Sequence, residues 1–370
     1  MIDKKITFVF GSGRKNKIES EKNYAKEFFY SYFDLKKKYV GTNLIEFNDN
    51  NRNRLLINID KLLRKLSGLS FFTNSIIKGE NYKILKNSDI VIATNDRIGL
   101  SVLPMIKLIK IKKKMKFCVI VMGLFSNRPN NKSRLKLQNT FLGTLLKTAD
   151  EFIFLGKPEL MEANDKYPTF KEKFTFIPFS IDETFWKGEV NDFSDREGIL
   201  FIGNDSHRDY KFSIDLAKKM PNINFTFITS QINEIDVLSE NVSFIEGKWN
   251  NQTLSDENLR EIYNNSKLVI VPLKNSLQPS GQSVTLQSMA MGTPVLITMT
   301  DGFWDLENYK NNENIVFLNE NTLNEWVEKI ESIYYDSNKL KKISESGKST
   351  IMKEYKIENF TNNLEKLISK

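Results

Sequence analysis

Cysteine and histidine are almost absent from this chain of 370 residues, which contains one of each. The single cysteine, Cys118, excludes an intrachain disulfide and a cysteine-rich metal site, and it fits a reducing compartment. The single histidine, His207, excludes a histidine-based triad and a multi-histidine metal site. No Asp-x-Asp element stands at a convincing strand end either. We therefore expect neither a metal site nor a cofactor.

Long apolar runs are also missing, although 40% of the residues are hydrophobic. No stretch approaches the roughly 20 residues that a membrane-spanning helix needs. The residues after Met1 run directly into the strand pattern Ile6–Phe10, so we expect no secretory leader and a cytoplasmic location. The length is sufficient for two domains of ordinary size.

The net charge of +8 is unevenly distributed along the sequence. Residues 1–190 contain 35 Lys and Arg against 20 Asp and Glu, whereas residues 191–370 contain 19 against 26. The basic half predicts either contact with an anionic membrane or an ordinary solvated face, and we favour the second interpretation. We expect no nucleic-acid partner. The basic cluster consists of Lys107, Lys110, Lys112, Lys113, Lys114, Lys116, Arg128, Lys132, Arg134 and Lys136.

One stretch, residues 267–298, reads as a strand, a loop, a helix and a second strand. The run Leu268 to Val271 is typical of a strand buried on both faces of a parallel sheet. A helix is predicted from Gln282, Gly292 suits its left-handed cap, and the next strand begins near Pro294. The loop therefore lies at the carboxyl end of a parallel strand and leads into a helix N-terminus, which is an anion site by geometry.

The residues of this loop suit a diphosphate. Gly281 allows a ligand to approach the backbone closely, Lys274 adds a positive charge, and Gln287 lies on the helix where its amide could reach a sugar hydroxyl. In a purely structural alternative, Ser280 and Gly281 form only a turn and Ser283 only caps the helix. Under the first interpretation, the donor-binding residues here are Ser280, Gly281, Gln282, Ser283 and Gln287.

The same stretch resembles the nucleotide-binding signature of retaining, nucleotide-sugar-dependent glycosyltransferases of family 4, which have the GT-B fold. The residues Ser288–Val295, SMAMGTPV, match the Ala-Met-Ala-x-Gly-x-Pro-Val end of that signature. Its two acidic residues are missing, because Pro279 and Gln287 stand at their positions. Gln287 can still bond a ribose diol, but without the charge assistance of a carboxylate.

The resemblance implies an α/β protein with two Rossmann-like domains that face each other across a cleft. We expect an N-terminal acceptor domain over residues 1–182, a linker over 183–197 and a nucleotide-sugar donor domain over 198–352. A helix over 353–370 would return to the first domain.

On the donor side, the resemblance points to the turn after the strand 199–203. Gly203 is retained there, and Asn204 replaces the arginine of the family. Arg208 lies near a phosphate-binding basic position and is our main diphosphate clamp, because a planar guanidinium can grip two oxygens; its alternative role is an ion pair with Asp205 or Asp209. Further on, Lys248 and Trp249 lie in the turn where the family holds the nucleobase.

On the acceptor side, the first strand ends in Gly11 and Gly13, a glycine turn that in the resembling family leaves room for sugar or acceptor. The apolar pattern after this turn predicts a long helix from about Ile18 to Phe33. Asn95 and Asp96 follow a later strand, and Gly123 follows the next one. Asp96 could bond the acceptor hydroxyl or cap the helix that follows, and from the residues alone capping is favoured.

These residues predict a retaining glycosyltransferase that moves a sugar from a nucleoside-diphosphate sugar, with a UDP-sugar as first choice, to a hydroxyl of a glycan or lipid-linked acceptor. Arg208, Lys274 and the helix N-terminus would stabilise the charge on the leaving diphosphate, and Asp96 would orient the acceptor. A metal is unnecessary if these groups balance that charge.

Two other functions stay open. A catalytically silent nucleotide-sugar-binding subunit is compatible with the two missing acids. A sugar-nucleotide 2-epimerase is disfavoured, because its chemistry needs acidic and histidine groups that this chain lacks.

Overall fold

The structure is a computed structural model that describes residues 4–20, 22–48, 53–126, 129–188, 193–233, 239–247 and 254–369. The chain divides into two compact units, and each contains a six-stranded parallel sheet. The first unit is built from Met1–Glu21, Phe29–Pro178 and Thr361–Lys370, and the second from Lys22–Phe28 and Phe179–Phe360.

The sheet of the first unit has the strand order β2-β1-β3-β4-β5-β6. Its central strands are mainly apolar and almost entirely buried, as expected of strands with helices on both faces. The strands are β1 (Ile6–Phe10), β2 (Asn43–Glu46), β3 (Ile90–Ala93), β4 (Lys116–Val121), β5 (Glu151–Phe154) and β6 (Phe174–Phe176). The helices are α1 (Arg14–Glu19), α2 (Tyr32–Lys38), α3 (Arg54–Ser67), α4 (Thr73–Ile76), α5 (Gly79–Asn87), α6 (Asp96–Lys110), α7 (Lys132–Thr148) and α8 (Lys157–Lys166).

The sheet of the second unit has the order β12-β11-β10-β7-β8-β9. Aromatic side chains such as Phe201, Phe227 and Trp326 fill its core. The strands are β7 (Glu197–Ile202), β8 (Phe225–Thr229), β9 (Val242–Glu246), β10 (Ser266–Val271), β11 (Val295–Thr298) and β12 (Val316–Leu318). The helices are α9 (Tyr210–Lys219), α10 (Asp256–Asn265), α11 (Gln282–Ala290), α12 (Leu323–Tyr334) and α13 (Ser337–Glu354).

The chain ends in α14 (Ile357–Ser369), whose residues from Thr361 onward belong to the first unit. Within that unit, the Lys116 ammonium donates to the Leu367 carbonyl (2.6 Å) and the Lys4 ammonium to the Ile368 carbonyl (3.0 Å). Cations at these positions satisfy carbonyls that a helix end leaves unpaired. The predicted α/β architecture of two parallel sheets is confirmed.

The prediction of one long helix over residues 18–33, which follows from the apolar pattern, is wrong. The chain instead forms the short α1, which ends at Glu19, and α2, which begins at Tyr32. Between them Tyr30 and Ser31 have φ of +48° and +67°. A left-handed backbone at non-glycine residues interrupts a right-handed helix.

The intervening segment Lys22–Phe28 belongs to the second unit. There the Ala25 N–H donates to the Asp256 carboxylate (2.9 Å), and the Lys26 N–H donates to the Asp182 carboxylate (3.2 Å). These long-range bonds satisfy the backbone groups that a helix would otherwise have paired.

In the described residues no helix is long and apolar enough to cross a membrane.

Much of the basic charge around the end of α6 is paired with carboxylates of the first unit. Three lysines of the basic cluster form ion pairs: Lys110 with Asp150 (2.6 Å), Lys113 with Asp89 (3.1 Å) and Lys116 with Glu151 (3.3 Å).

Candidate functional site

The candidate site of the second unit lies where the strand order of the sheet reverses. Strands β8 and β9 extend the sheet on one side of β7, and β10, β11 and β12 extend it on the other. In open parallel sheets, ligands bind outside the carboxyl ends of the two strands at such a point. The two loops that leave β7 and β10 contain Gly203, Arg208, Lys274 and Gly281, so four of the predicted residues lie at this edge.

The turn before α11 requires glycine. Gly281 has φ +82° and ψ −7°, and a Cβ added to it would lie 3.0 Å from Cγ1 of Val271. The first hydrogen bond inside the helix runs from the Thr285 N–H to the Gly281 carbonyl (3.0 Å). The first N–H groups of an α-helix have no acceptor within the helix itself. This geometry suits an anion.

Ser280 lies directly before this glycine and is buried. Its Oγ has no hydrogen-bond partner among the described residues. A buried hydroxyl without a partner is uncommon in folded proteins, and at ligand sites the bound ligand supplies the missing bond.

Arg208 is 2% exposed and lies across Gly203. Its Nε donates to the Ile202 carbonyl (3.2 Å), and Nη1 lies 3.1 Å from a carboxylate oxygen of Asp205. The ion pair with Asp205 is thus formed, but Nη1 makes no aligned hydrogen bond with a described residue. Gly203 is necessary because a Cβ there would lie 2.5 Å from Cγ and Nε of Arg208.

The backbone holds Arg208 and Lys274 on adjacent segments. Arg208 and Leu273 form an antiparallel bridge, and the Lys274 N–H donates to the His207 carbonyl (2.8 Å). The side chain of Lys274 is exposed, and no described carboxylate lies within ion-pair distance of it. The structure therefore holds side by side the backbone segments of the two cations that the sequence assigns to the diphosphate.

Asn321, which sequence reasoning missed, fixes these two segments. Its Nδ2 donates to Asp209 (3.1 Å) and to the Leu273 carbonyl (3.0 Å), and its Oδ1 accepts a bond from Thr298 (2.6 Å). Nothing in the local sequence distinguishes Asn321 from the other asparagines of this asparagine-rich chain.

Gln287 does not face solvent. It is 2% exposed, its Nε2 donates to the Glu27 carboxylate (2.8 Å), and its Oε1 accepts a bond from the Tyr263 hydroxyl (3.2 Å). The Trp186 indole N–H donates to the same Glu27 oxygen (2.8 Å). The amide predicted to contact the donor sugar is thus engaged by side chains of the second unit itself.

Glu27 is the unexpected residue of this arrangement. Burial raises its pKa to about 7, although the bonds from Gln287 and Trp186 act in the opposite direction, and the nearby charge of Asp256 adds to the rise. Its second oxygen has no hydrogen-bond partner among the described residues. No local signal in the sequence indicates this role, because Glu27 falls inside the helix that the apolar pattern wrongly predicts.

Asn204 acts as a connector between strand ends. Its Nδ2 donates to the Gly247 carbonyl (2.6 Å), and its Oδ1 accepts bonds from Thr229 (3.2 Å) and from the N–H of Ser230 (2.6 Å). Lys248 and Trp249, the two residues predicted to hold the nucleobase, lie outside the described residues.

In the first unit, the strand order reverses between β1 and β3. The glycine turn after β1 lies at this point, with Gly13 at φ +94° and Gly11 in open space. The N–H groups of Arg14 and Lys15, at the start of α1, both donate to the Glu46 carboxylate (2.5 and 3.2 Å). An internal carboxylate therefore occupies this helix N-terminus.

Two carboxylates hold the loop that follows β4. Asn95 caps α6 by accepting the Ile98 N–H (2.8 Å), so Asp96 is the first helical residue and not the cap. Asp96 instead accepts the Met122 N–H (3.0 Å), and Glu159 accepts the Gly123 N–H (3.0 Å).

Burial raises the pKa of both carboxyls, to about 8 for Glu159, where the neighbouring charge of Asp96 adds to the effect. The strand edge of the first unit therefore carries two acids that gain protons more easily than usual. Among the described residues, no group of three His, Cys, Asp or Glu is placed to hold a metal ion.

Comparisons with known proteins agree with this architecture. Residues 183–350 match the family described as Glycosyl transferases group 1. No relative among the curated proteins matches the chain.

Three solved structures are similar over nearly their whole length. HepE of Anabaena, in complex with UDP-glucose, has a TM-score of 0.69 at 13% identity, with 98% of this chain and 99% of that one covered. Sucrose-phosphate synthase of Thermosynechococcus elongatus has a TM-score of 0.70 at 11% identity, with 99% and 98% covered. A glycosyltransferase of Rickettsia africae has a TM-score of 0.62 at 15% identity, with 98% and 97% covered.

The sheet topology, the match over residues 183–350 and the whole-chain likeness to these structures lead to one assignment. Residues 183–350, which lie in the second unit, match a Glycosyl transferases group 1 domain, and the chain has the GT-B fold.

Proposed function

We propose that this protein is a retaining glycosyltransferase that takes a sugar from a nucleoside-diphosphate sugar, with a UDP-sugar as first choice. The observation that supports the proposal is the position of Arg208, Lys274 and the N-terminus of α11 on the two loops that leave β7 and β10, at the strand reversal of the second unit. A leaving diphosphate gains negative charge as the glycosidic bond breaks. Fixed donors aimed at that charge stabilise the transition state more than the ground state.

Each of these groups has a distinct part in the proposal. The exposed ammonium of Lys274 approaches the diphosphate from solvent, and the buried guanidinium of Arg208 binds it from the side of Gly203. The Ser280 hydroxyl and the N–H groups after Gly281 hold the oxygens at the helix end. With these donors in place the reaction needs no metal, and a diphosphate oxygen accepts the proton of the attacking hydroxyl.

The acceptor is a hydroxyl of a glycan or a lipid-linked saccharide, and Asp96 and Asn95 are proposed on the acceptor side of the first unit. Burial raises the pKa of Asp96, so its protonated form, which can donate as well as accept a hydrogen bond, is more accessible than in an ordinary aspartate. A basic first unit is compatible with an anionic membrane surface.

The test is release of nucleoside diphosphate from a panel of nucleotide sugars, with and without a chelator. We expect Arg208→Gln and Lys274→Gln each to lower kcat/KM by about 10- to 150-fold, because each removes a charge-assisted bond of about 1.5–3 kcal/mol. Lys342→Gln, a change at an exposed lysine of α13, is the matched control and should turn over normally. Wild-type rates in both site variants would show that these cations do not bind the diphosphate.

One observation favours a second candidate, a nucleotide-sugar-binding subunit without activity. Both polar atoms of the Gln287 amide are engaged by Glu27 and Tyr263, so the amide is not free for a sugar or ribose. Thermal stabilisation by a nucleoside diphosphate without turnover of any nucleotide sugar would support this subunit over the enzyme.

A further inference from the structure

Helix α3 of the first unit exposes an apolar stripe that no described residue of that unit covers. Leu55, Ile59, Leu62 and Leu66 are between 43% and 70% exposed. Their spacing of four, three and four residues places all four on one side of the helix. No other helix among the described residues exposes more than two large apolar side chains.

The opposite side of α3 is packed in the ordinary way. Asp60 is buried there and accepts the Asn74 N–H (2.9 Å), and the Arg64 guanidinium lies 4.5 Å from the centre of the Phe72 ring. The helix is therefore anchored to the unit by one face. Its exposed stripe does not result from an unfolded or detached helix.

The stripe is bordered by positive charge. Arg54, Lys61 and Lys65 are exposed, and the only acid of α3, Asp60, is buried on the other face. A helix of this kind, with apolar residues on one side and cations beside them, lies in the plane of a membrane surface. There the apolar side chains enter the interface and the lysines reach the headgroups.

The neighbouring helix continues the basic surface. Helix α7 packs against α3 and contains no acidic residue. At its N-terminal end it exposes Lys132, Arg134 and Lys136. A symmetric pair of α3 helices would bring two such basic sets together without any exposed acid on the helices, so repulsion disfavours a second copy of this chain as the partner.

We propose that the stripe Leu55–Leu66 of α3 is the surface by which this protein rests on an anionic lipid bilayer. This places the membrane contact on α3 and not on the lysine-rich end of α6, where Lys110, Lys113 and Lys116 are held in ion pairs. The inference adds a partner to the proposed function but does not depend on sugar transfer.

The test is flotation of the full chain with phosphatidylcholine vesicles, with and without phosphatidylglycerol. We expect binding only to the anionic vesicles, and a loss of about tenfold or more in partitioning for Leu55→Gln/Leu62→Gln, since two apolar side chains no longer enter the interface. Lys61→Gln/Lys65→Gln should lower partitioning by about fivefold per lysine, and added salt should do the same.

The matched control is Leu108→Gln/Ile111→Gln, which changes the exposed apolar pair at the end of α6. It should bind vesicles like the wild type, and all variants should keep the wild-type melting temperature because the changed side chains are exposed.

Equal binding to neutral vesicles, or loss of binding in the α6 variant but not in the α3 variant, would overturn the proposal. So would a dimer in ultracentrifugation that the α3 variant abolishes while vesicle binding stays absent. Vesicle binding is measured without turnover, so its failure is distinguishable from failure of the proposed transfer.

Discussion

Gly203 and Arg208 offer the sharpest test of the candidate site, because the absence of a side chain at Gly203 leaves the space that the Arg208 side chain occupies. In Gly203→Ala the new methyl group would lie 2.5 Å from Cγ and Nε of Arg208 and 2.9 Å from Cδ. No backbone atom is among the three nearest neighbours. The methyl group must therefore displace the arginine side chain, and overpacking of this kind costs about 1–3 kcal/mol.

The displaced guanidinium can no longer meet the diphosphate. We expect Gly203→Ala and Arg208→Ala each to weaken UDP binding by about 10- to 150-fold, the loss of one charge-assisted bond of about 1.5–3 kcal/mol. In the Arg208→Ala background the three clashing atoms are gone, so Gly203→Ala should then cost about twofold at most. The two changes should thus be strongly non-additive.

The assay is titration calorimetry with UDP on the wild type, the two single variants and the double variant. Gly143→Ala is the control, because no atom lies within 4 Å of a Cβ at that position and its helix tolerates alanine. If the losses of the two single variants add up in the double variant, Gly203 acts independently of Arg208 and the reasoning fails.

Three further predictions concern the same unit. Gly281→Ala should lower the melting temperature and weaken UDP binding, since alanine at φ +82° costs about 1–2 kcal/mol; unchanged UDP affinity in calorimetry would contradict a backbone role. Glu27→Gln should remove a pH dependence of stability. Because the folded-state pKa of about 7 lies above the ordinary 4.5, the free energy of unfolding of the wild type falls by about 3 kcal/mol as pH rises from below 4.5 to above 7. Denaturant titrations across this range should show a flatter profile for the variant. Gln287→Glu places a second carboxylate at hydrogen-bond distance from Glu27, so the melting temperature should fall more steeply with rising pH than in the wild type. Adding Glu27→Gln should restore the wild-type melting temperature, and a melting temperature of Gln287→Glu that does not change with pH would refute the contact.

The fold could be predicted because its signals are local. Strands such as Leu268 to Val271 are continuous apolar runs, and the glycine before α11 marks a turn that few other residues can form. The same local logic predicted that Arg208 and Lys274 approach one site, since both follow strands at the reversal of a parallel sheet.

The partners of Gln287 could not be predicted, because they come from distant parts of the chain. Glu27 lies 260 positions away in sequence, and its segment has a helical apolar pattern that tertiary bonds override. Asp96 shows the same limit on a smaller scale. Its position at the start of a helix suggested a cap, whereas the neighbouring Asn95 caps and Asp96 bonds the Met122 N–H.

The division of the chain into discontinuous units has a consequence for biosynthesis. The second unit includes Lys22–Phe28, which is translated before the rest of that unit, whereas the first unit includes Thr361–Lys370, which is translated after the rest of both units. Neither unit can complete its set of contacts in simple order of translation. During synthesis, Ala25 and Glu27 of this segment cannot form their hydrogen bonds with Asp256 and Gln287 until those two residues have been translated. Truncation from the C-terminus should therefore damage the first unit, even though its sheet is encoded entirely in the first half of the chain.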